Sequence, residues 1–413
     1  MQKGLNMASA DARDGDGRRA SLLYDPSVRA YAYQALTVLV VGWLIWQAWS
    51  NAAENLARAN MTAGFGFLSG RAGFDLGQAL IAYSSDSTFA RALTVGLLNT
   101  LLVGVLGIIT ATIVGLLIGI GRLSKNWLIA RLCTIYVELF RNIPPLLVIF
   151  FWYKGVLSIL PDFRAIRAGV EKAKAADPSV GDPLFIISNR GISFPAPIFQ
   201  PGFGAVWIAL AAAVLGAVGF TLWANKVQAA TGKRPPALLV SVALIVLLPL
   251  AVFFAAGQPI AFDYPVLGRF NLSGGGLISP EFLSLYLALS LYTASFIAEI
   301  VRAGIRGVPS GQFEACSALG VRSDRAMRLV ILPQAMRIII PPLTSQYLNL
   351  IKNSSLAVAA GYPDLVQVGN TILNQSGRAI EVIAIWMIVY VTISLVTSVF
   401  MNWFNARMAL RER

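Results

Sequence analysis

The sequence predicts an all-α fold, a polytopic membrane helix bundle with about eight transmembrane helices. Of the 413 residues, 56% are hydrophobic and only 13% are charged, whereas soluble domains carry roughly 25% charged residues. Apolar runs long enough to cross a hydrocarbon core of about 30 Å recur along the chain. Because these runs do not alternate with a period of two, they favour helices over the strands of a membrane barrel.

The apolar runs define the elements in chain order. The predicted spans are 31–50, 93–121, 132–153, 204–224, 236–257, 282–301, 330–351 and 382–404. An even number of spans places both termini on one side of the membrane, and lysine and arginine concentrate in the segments on that side. We therefore expect both termini in the cytoplasm. The acidic, Gly-rich segment 1–29 is expected to be a disordered tail.

The composition excludes several classes of function. The chain contains no histidine, which removes the commonest general base and nitrogen ligand for a metal. No phosphate-binding loop is present, since Gly232-Lys233 is followed by Arg234. The net charge of +13 is dispersed among loops, so we expect no nucleic-acid partner. The sequence predicts no enzyme, no metal site and no bound cofactor.

Segment 154–257 interrupts the series of spans. Its first part, 154–203, is polar and rich in proline, and we interpret it as an external loop with one short amphipathic helix. The spans 204–224 and 236–257 are nearly free of polar groups. They are expected to form an added hairpin that packs against the bundle or the lipid.

The stretch "EACSALGVRSDRAMRLVILP" (314–333) is a polar loop beside the apolar spans. Ser310 can cap the start of a helix, with Glu314 in its first turn. Gly320 can end that helix in a left-handed conformation, and a second helix is predicted to start near Ser323. The pattern indicates a helix-turn-helix on the cytoplasmic surface that continues into a span.

This loop resembles the EAA signature of permease subunits of bacterial ATP-binding-cassette (ABC) importers. The matching residues are Glu314, Ala315, Gly320, Leu332 and Pro333. Cys316 replaces the second alanine of the signature and Val330 its isoleucine. The resemblance implies that the first helix docks on a separate ATPase and carries its motion to the pore. The alternative is an amphipathic surface loop of another membrane protein.

A second resemblance narrows the family. Residues 94–124, 138–151 and 292–315 are similar to the permeases for histidine, glutamine, glutamate, arginine and opines. The extra first span and the hairpin resemble the broad-specificity L-amino-acid permeases. This implies a type I importer core at 93–413, preceded by the extra helix and external loop at 30–92. It also implies a bacterial inner-membrane location.

The same resemblance implies the partners. These would be an ABC ATPase dimer that uses ATP and Mg²⁺, a second homologous permease, a periplasmic amino-acid-binding protein and the amino-acid substrate, all within or beside membrane lipid. The predicted function is the permease subunit of an ATP-driven amino-acid importer. An ion-gradient-driven secondary transporter and a membrane scaffold without transport activity are the alternatives.

Charged residues inside spans mark candidate sites, since each costs at least about 2.5–3.5 kcal/mol at mid-membrane. Ser295, Glu299 and Arg302 lie three and four residues apart and so share one helix face. That face could belong to the translocation path or its gate. We favour the other interpretation, a structural pair of Glu299 with Arg302.

A similar choice arises at Glu138 and Arg141, which are three residues apart. We expect a structural ion pair between them. Pro144 and Pro145 are expected to break the helix just beyond this pair.

The best candidate for a substrate site follows Pro341-Pro342, which are expected to interrupt the span. A polar cluster comes next, where the chain is expected to approach the outer face: Asn349, Lys352, Asn353, Ser354 and Ser355. Interrupted helices expose backbone groups suited to a zwitterion. Equally, Lys352 could be an interfacial lysine that extends its amine to water. Asn99 and Thr100 are weaker candidates, explained as well by hydrogen bonds between helices.

Overall fold

The computed structural model describes residues 26–58, 64–233, 235–268 and 272–408. The predicted tail 1–29 lies almost wholly outside this range. The chain divides into two compact units, one ending at Phe67 and the other starting at Leu68. The first unit contains helix α1 (Pro26–Arg58).

The second unit contains the remaining α-helices of the described chain. They are α2 (Phe89–Gly121), α3 (Trp127–Asn142), α4 (Pro145–Phe150), α5 (Phe163–Ala176), α6 (Phe203–Thr231), α7 (Ala237–Ala255), α8 (Pro280–Arg306), α9 (Ser310–Ala318), α10 (Ser323–Ala326), α11 (Leu332–Asn353), α12 (Leu365–Ser376) and α13 (Ala379–Met408). The π-helical turns are Phe151–Val156 and Met327–Ile331, and 3-10 turns lie at Leu157–Ile159 and Ser354–Ala359.

Eight helical segments of the described chain are long and apolar enough to cross a membrane, which confirms the predicted number. They are Val28–Asn51, Phe89–Gly121, Pro145–Ala176, Phe203–Thr231, Ala237–Ala255, Pro280–Arg306, Ser323–Ala359 and Ala379–Arg407. Seven of them overlap the predicted spans closely.

The third segment differs from the single predicted span 132–153. Helix α3 ends at Asn142, and Ile143 is extended, with φ −103° and ψ 132°. Pro144 is extended as well, and α4 starts at Pro145. A residue before proline is sterically disfavoured in the helical region. Two consecutive prolines therefore break the helix, as the sequence predicted, and displace its boundaries.

Helix α8 is the most buried of the long helices and packs closely against α2. Small buried residues recur at every fourth position of α2, at Gly107, Ala111, Gly115 and Gly119, and a Cβ on Gly115 or Gly119 would collide with α8. A methyl group on Gly119 would lie 2.7 Å from the carbonyl oxygen of Ala298. This stripe lets the two backbones approach closely, which is how helices commonly associate in membranes.

In the described chain, short strands that the sequence did not reveal flank the pair of helices α6 and α7. They are β1 (Ile186–Ser188), β2 (Gly191–Phe194), β3 (Ala196–Phe199), β4 (Ile260–Asp263), β5 (Val266–Leu267), β6 (Leu272–Ser273) and β7 (Gly276–Ile278). All pairs are antiparallel, in the order β1-β2-β7, β3-β4 and β5-β6. Strands of two to four residues are too short to show the alternation of apolar and polar residues by which a strand is recognised in a sequence.

Two of the sheets join the chain before α6 to the chain after α7, through the pairs β2–β7 and β3–β4. The predicted amphipathic helix is α5, and the predicted hairpin is α6 with α7. The buried face of α6 consists of alanines, and the hydroxyl oxygens of Thr221 and Ser241 lie 3.3 Å apart between the two helices.

Pro341 and Pro342 do not interrupt the span as predicted. Both lie inside the continuous helix α11. Their neighbours Ile339, Ile340 and Leu343 are buried in the core, and such packing lets membrane helices tolerate proline. The interruption comes later, in the 3-10 turn Ser354–Ala359 and the loop before α12.

Candidate functional site

The polar loop that resembles the EAA signature forms two short helices, as predicted. Its first helix, α9, starts at Ser310, and Pro309 occupies the cap position. Ser310 is therefore not the cap, and Glu314 lies one residue further along than predicted, just beyond the first turn. Proline at the cap has an extended backbone, φ −54° and ψ 136°, which starts the helix without a side-chain acceptor.

Gly320 has φ +65°, which confirms its predicted left-handed conformation. Its N–H donates to the carbonyl of Ser317 and the N–H of Val321 donates to that of Cys316, both at 3.0 Å. These two bonds form a Schellman motif that satisfies carbonyls at the end of α9. Helix α10 starts at Ser323, where it was expected.

Most of this surface is open. Cys316 is the buried residue of α9, while Glu314 and Ala315 are exposed. Large apolar side chains are exposed in the same loop: Phe313, Leu319 at 80%, Met327 at 40% and Leu329 at 68%. Clustered apolar side chains on a polar loop are typical of a surface that binds a protein partner.

A network of charged side chains joins three helices, α2, α3 and α8. Glu299 of α8 accepts hydrogen bonds from Arg302 and from Arg122, the residue that caps α2. Arg122 also lies 3.8 Å from the carboxylate of Glu138 on α3. The network confirms the predicted pair of Glu299 with Arg302.

The predicted pair of Glu138 with Arg141 is wrong. Glu138 faces Arg122, and the guanidinium of Arg141 lies 5.7 Å from the ring centroid of Phe296. Sequence spacing could not show that the end of α2 brings a closer cation. Ser295 is fully buried and donates to the Tyr292 carbonyl at 2.6 Å, so its hydroxyl is satisfied within α8.

Asn99 and Thr100 hold the start of α12. The amide of Asn99 donates to the carbonyls of Gln78 and Pro363 at 3.0 and 2.9 Å. The hydroxyl of Thr100 accepts from the N–H of Leu365 at 3.0 Å. The Thr100 bond joins two helices, as expected, whereas the Asn99 amide binds carbonyls of the loops at Gln78 and Pro363.

Asp364 is a buried acid that the sequence reasoning missed. It lies in the loop between two membrane-spanning helices and caps α12, accepting from the N–H of Gln367 at 2.8 Å. Its second oxygen finds no donor among the described residues. Burial raises the pKa of Asp364 to about 7, partly offset by backbone hydrogen bonds. An aspartate directly before a helix pattern was the available signal.

Lys352 lies on an open face of α11. It lines two adjoining cavities of about 280 and 320 Å³ together with Tyr390 of α13. Lys352 and Asn349 are exposed, and Asn353 is half-buried. A methyl group on Gly104, near the midpoint of α2, would lie 3.4 Å from the side chain of Ile351. The cluster is therefore deeper in the bundle than the outer face where it was expected.

The hydroxyls of the two serines in the cluster bind backbone carbonyls three residues earlier in the chain. Ser354 is buried and donates to the Ile351 carbonyl at 2.7 Å, and Ser355 donates to that of Lys352 at 2.8 Å. These bonds stabilise the 3-10 turn. The structure thus brings Asn349 and Lys352 to one surface, while Ser354 and Ser355 shape the break after it.

A comparison with known proteins decides the family. The sequence model of a family described as binding-protein-dependent transport system inner membrane component matches residues 235–410. The general L-amino acid transport system permease protein AapQ of Rhizobium johnstonii is 61% identical over 394 residues, which are 95% of each chain. The chain belongs to the ABC transporter permease family.

Two further relatives match this permease over nearly their whole length. The putative amino-acid ABC transporter permease YhdX of Escherichia coli is 47% identical, over 94% of this chain and 96% of its own. The glutamate/glutamine/aspartate/asparagine permease BztB of Rhodobacter capsulatus is 45% identical, over 96% and 97%. The chain is therefore a multi-pass membrane component of a transport system and not an enzyme. The family match spans the loop 314–333 and Lys352.

Proposed function

We propose that this permease supplies half of the translocation pathway of an ATP-driven importer of polar amino acids. The observation that carries the proposal is the similarity over 95% of the chain to AapQ, whose name specifies general L-amino acid transport. The names of the other relatives also specify amino acids. A gradient-driven transporter acting alone does not fit this family.

The loop 314–333 couples the permease to a separate ATPase. Glu314 and Ala315 lie on the docking helix, Gly320 sets its exit, and Leu332 and Pro333 start the span that receives the motion. The exposed apolar side chains around this helix support a protein partner there. ATP and Mg²⁺ are used by the ATPase subunits.

The Lys352 face lines the substrate path. An exposed ammonium deep in the bundle would cost at least about 2.5–3.5 kcal/mol against lipid. The face therefore borders water or another protein chain, and a second homologous permease would close the path over it. Lys352 then attracts the substrate carboxylate, with Asn349 and Asn353 beside it. Glu299 and its arginines act as structural ties at the far end of the path.

The coarse topology follows from the same assignment. We propose an inner-membrane location with both termini and the loop 314–333 in the cytoplasm. The strands of the insertion then lie on the periplasmic side, where an amino-acid-binding protein delivers substrate. The extra helix and external loop occupy 30–92, and the permease core occupies 93–413.

The test is purification of this chain from native membranes with whatever subunits accompany it. The expected result is a co-purifying ATPase whose activity rises when a loaded amino-acid-binding protein is added to reconstituted vesicles. Uptake by the chain alone, driven by an ion gradient, would overturn the proposal. The proposal would also be overturned if the rate of ATP hydrolysis by the assembly did not change with any loaded binding protein of the same cell.

A further inference from the structure

A cavity of about 710 Å³ lies at the end of the bundle that carries the strands, and we call it the outer cavity. It falls within the size range of small-molecule sites, about 300–1,000 Å³. Five separate segments converge on it: 74–77 before α2, 153–158 after α4, 189–190 between β1 and β2, 277–281 at the start of α8, and 361–371 around the start of α12.

Charges of both signs line the outer cavity. The cations are Lys154 and Arg190, and the anions are Asp75 and Glu281. Within the described part of the chain, no ion pair joins Lys154, Asp75 or Glu281 to an opposite charge. Equal numbers of cations and anions match a zwitterion better than they match a net anion or cation.

Tyr153 contacts two of these charges. Its hydroxyl donates to the carboxylate of Glu281 at 3.2 Å. The ammonium of Lys154 lies 4.8 Å from the centroid of the same ring. One small molecule at Tyr153 can therefore meet an anion and a cation at once, as the ammonium and carboxylate of an α-amino acid require.

A thin wall separates the outer cavity from the Lys352 face. Gln367 lines the outer cavity and its neighbour Val366 lines one of the Lys352 cavities. The wall is the start of α12, which Asn99 and Thr100 hold from α2. On the other side, the indole N–H of Trp386 donates to the Leu365 carbonyl at 3.1 Å.

We propose that the outer cavity is an acceptor site for an amino acid, where Lys154 binds the carboxylate and Glu281 the ammonium. The substrate rests there before it passes the start of α12 to reach Lys352. This inference rests on the proposed function and adds a second site to the path, on the strand-bearing side of the wall.

The test uses the whole transporter, purified by an affinity tag on this chain and placed in lipid nanodiscs. The external binding protein is left out. The probe is radiolabelled L-glutamine, a zwitterion with an uncharged side chain. We expect Lys154→Gln and Glu281→Gln each to weaken binding about tenfold or more. Arg167→Gln, a charge on the surface of α5 outside the cavity, is the matched control and should bind like wild type. The deaminated analogue, 4-carbamoylbutanoate, should not compete.

A second measurement, protection of a cavity cysteine from labelling, tests the proposal if Lys154→Gln or Glu281→Gln does not assemble with its partner subunits. Ser158 lines the outer cavity, while Ser179 lies on an exposed loop. Excess L-glutamine should slow maleimide labelling of Ser158→Cys and leave Ser179→Cys unaffected. Equal affinity in the charge variants and control, or unprotected labelling of Ser158→Cys, would overturn the acceptor site. ATP-driven uptake would stand in either case, so a failure here is distinct from a failure of the proposed function.

Discussion

Gly320 forms the left-handed turn between α9 and α10, in the loop for which we propose ATPase coupling. A β-branched residue at φ +65° is strained by about 1–3 kcal/mol. We predict that Gly320→Val lowers ATPase co-purification and uptake while the permease stays in the membrane. Gly320→Asn is the matched control, because asparagine tolerates this conformation and no atom would crowd its Cβ. Wild-type uptake and co-purification in Gly320→Val would show that the turn does not control coupling.

Lys352 is the residue whose charge most needs an explanation. We predict that Lys352→Met lowers amino-acid uptake roughly tenfold or more, while ATPase subunits still co-purify. Lys352→Arg should retain more activity because it keeps the charge. Lys125→Met removes an exposed charge in the loop before α3 and should have no effect.

Uptake assays in cells that lack the chromosomal copy, with permease levels matched, make this comparison. If Lys352→Met transports like wild type, Lys352 is only an interfacial lysine that extends its amine to water. The substrate path then lies elsewhere.

At the scale of elements, the glycine stripe of α2 determines how closely α8 can pack. Valine at Gly119 would force its Cβ to within 2.7 Å of a backbone oxygen. Overpacking of this kind costs about 1–3 kcal/mol. We predict that Gly119→Val lowers the melting temperature of the purified chain and its yield in membranes.

Gly219 of α6 is the control for the stripe, since a Cβ there meets nothing within 4 Å. Gly219→Val should melt close to wild type. Equal melting temperatures of Gly119→Val and Gly219→Val would show that close packing of α2 against α8 does not stabilise the chain.

The start of α12 should respond to pH through Asp364. Its pKa is about 7 in the folded chain and about 3.9 in an unfolded one. The folded chain therefore holds a proton that the unfolded chain releases between these values, so stability falls as pH rises through this window. The loss is at most about 4 kcal/mol.

Asp364→Asn keeps the cap and removes the titration. We predict that its melting temperature rises relative to wild type as pH increases from 5 to 8, as monitored by tryptophan fluorescence. A difference that is constant across this range would contradict a protonated Asp364.

Two proline pairs show what sequence patterns can and cannot decide. Pro144-Pro145 and Pro341-Pro342 look alike, and both were expected to break a helix. The first pair does so, while the second lies inside α11 beside buried Ile339 and Ile340. The local residue pattern therefore does not decide whether a proline pair breaks a helix.

At the scale of the whole molecule, long apolar runs were enough to predict eight spans, because lipid imposes length and polarity on each helix separately. The turn of the loop 314–333 was also predictable, since it depends on one glycine, Gly320. The pairing of Arg122 with Glu299, the depth of Lys352 and the burial of Asp364 were not. Each depends on which helices become neighbours.

The proposed topology can be checked on a chain whose two cysteines have been replaced. Ser179→Cys, in the insertion, should react with a membrane-impermeant maleimide in spheroplasts. Ser323→Cys, at the start of α10, should react only after the membrane is opened. The reverse pattern would invert the topology and remove the ATPase from the side where we place its docking helix.

Helix α10, the π turn Met327–Ile331 and α11 continue with helical backbone from Ser323 to Asn353. Such a continuous rod acts as a lever. Leu332 and Lys352 are about 30 Å apart along the axis, at 1.5 Å per residue. Pivoting the rod by about 10° at its lower end would carry the ammonium sideways by about 5 Å, roughly the width of an amino-acid backbone. If the loop 314–333 couples to the ATPase as proposed, a small rotation there is therefore enough to open or close the proposed path at Lys352.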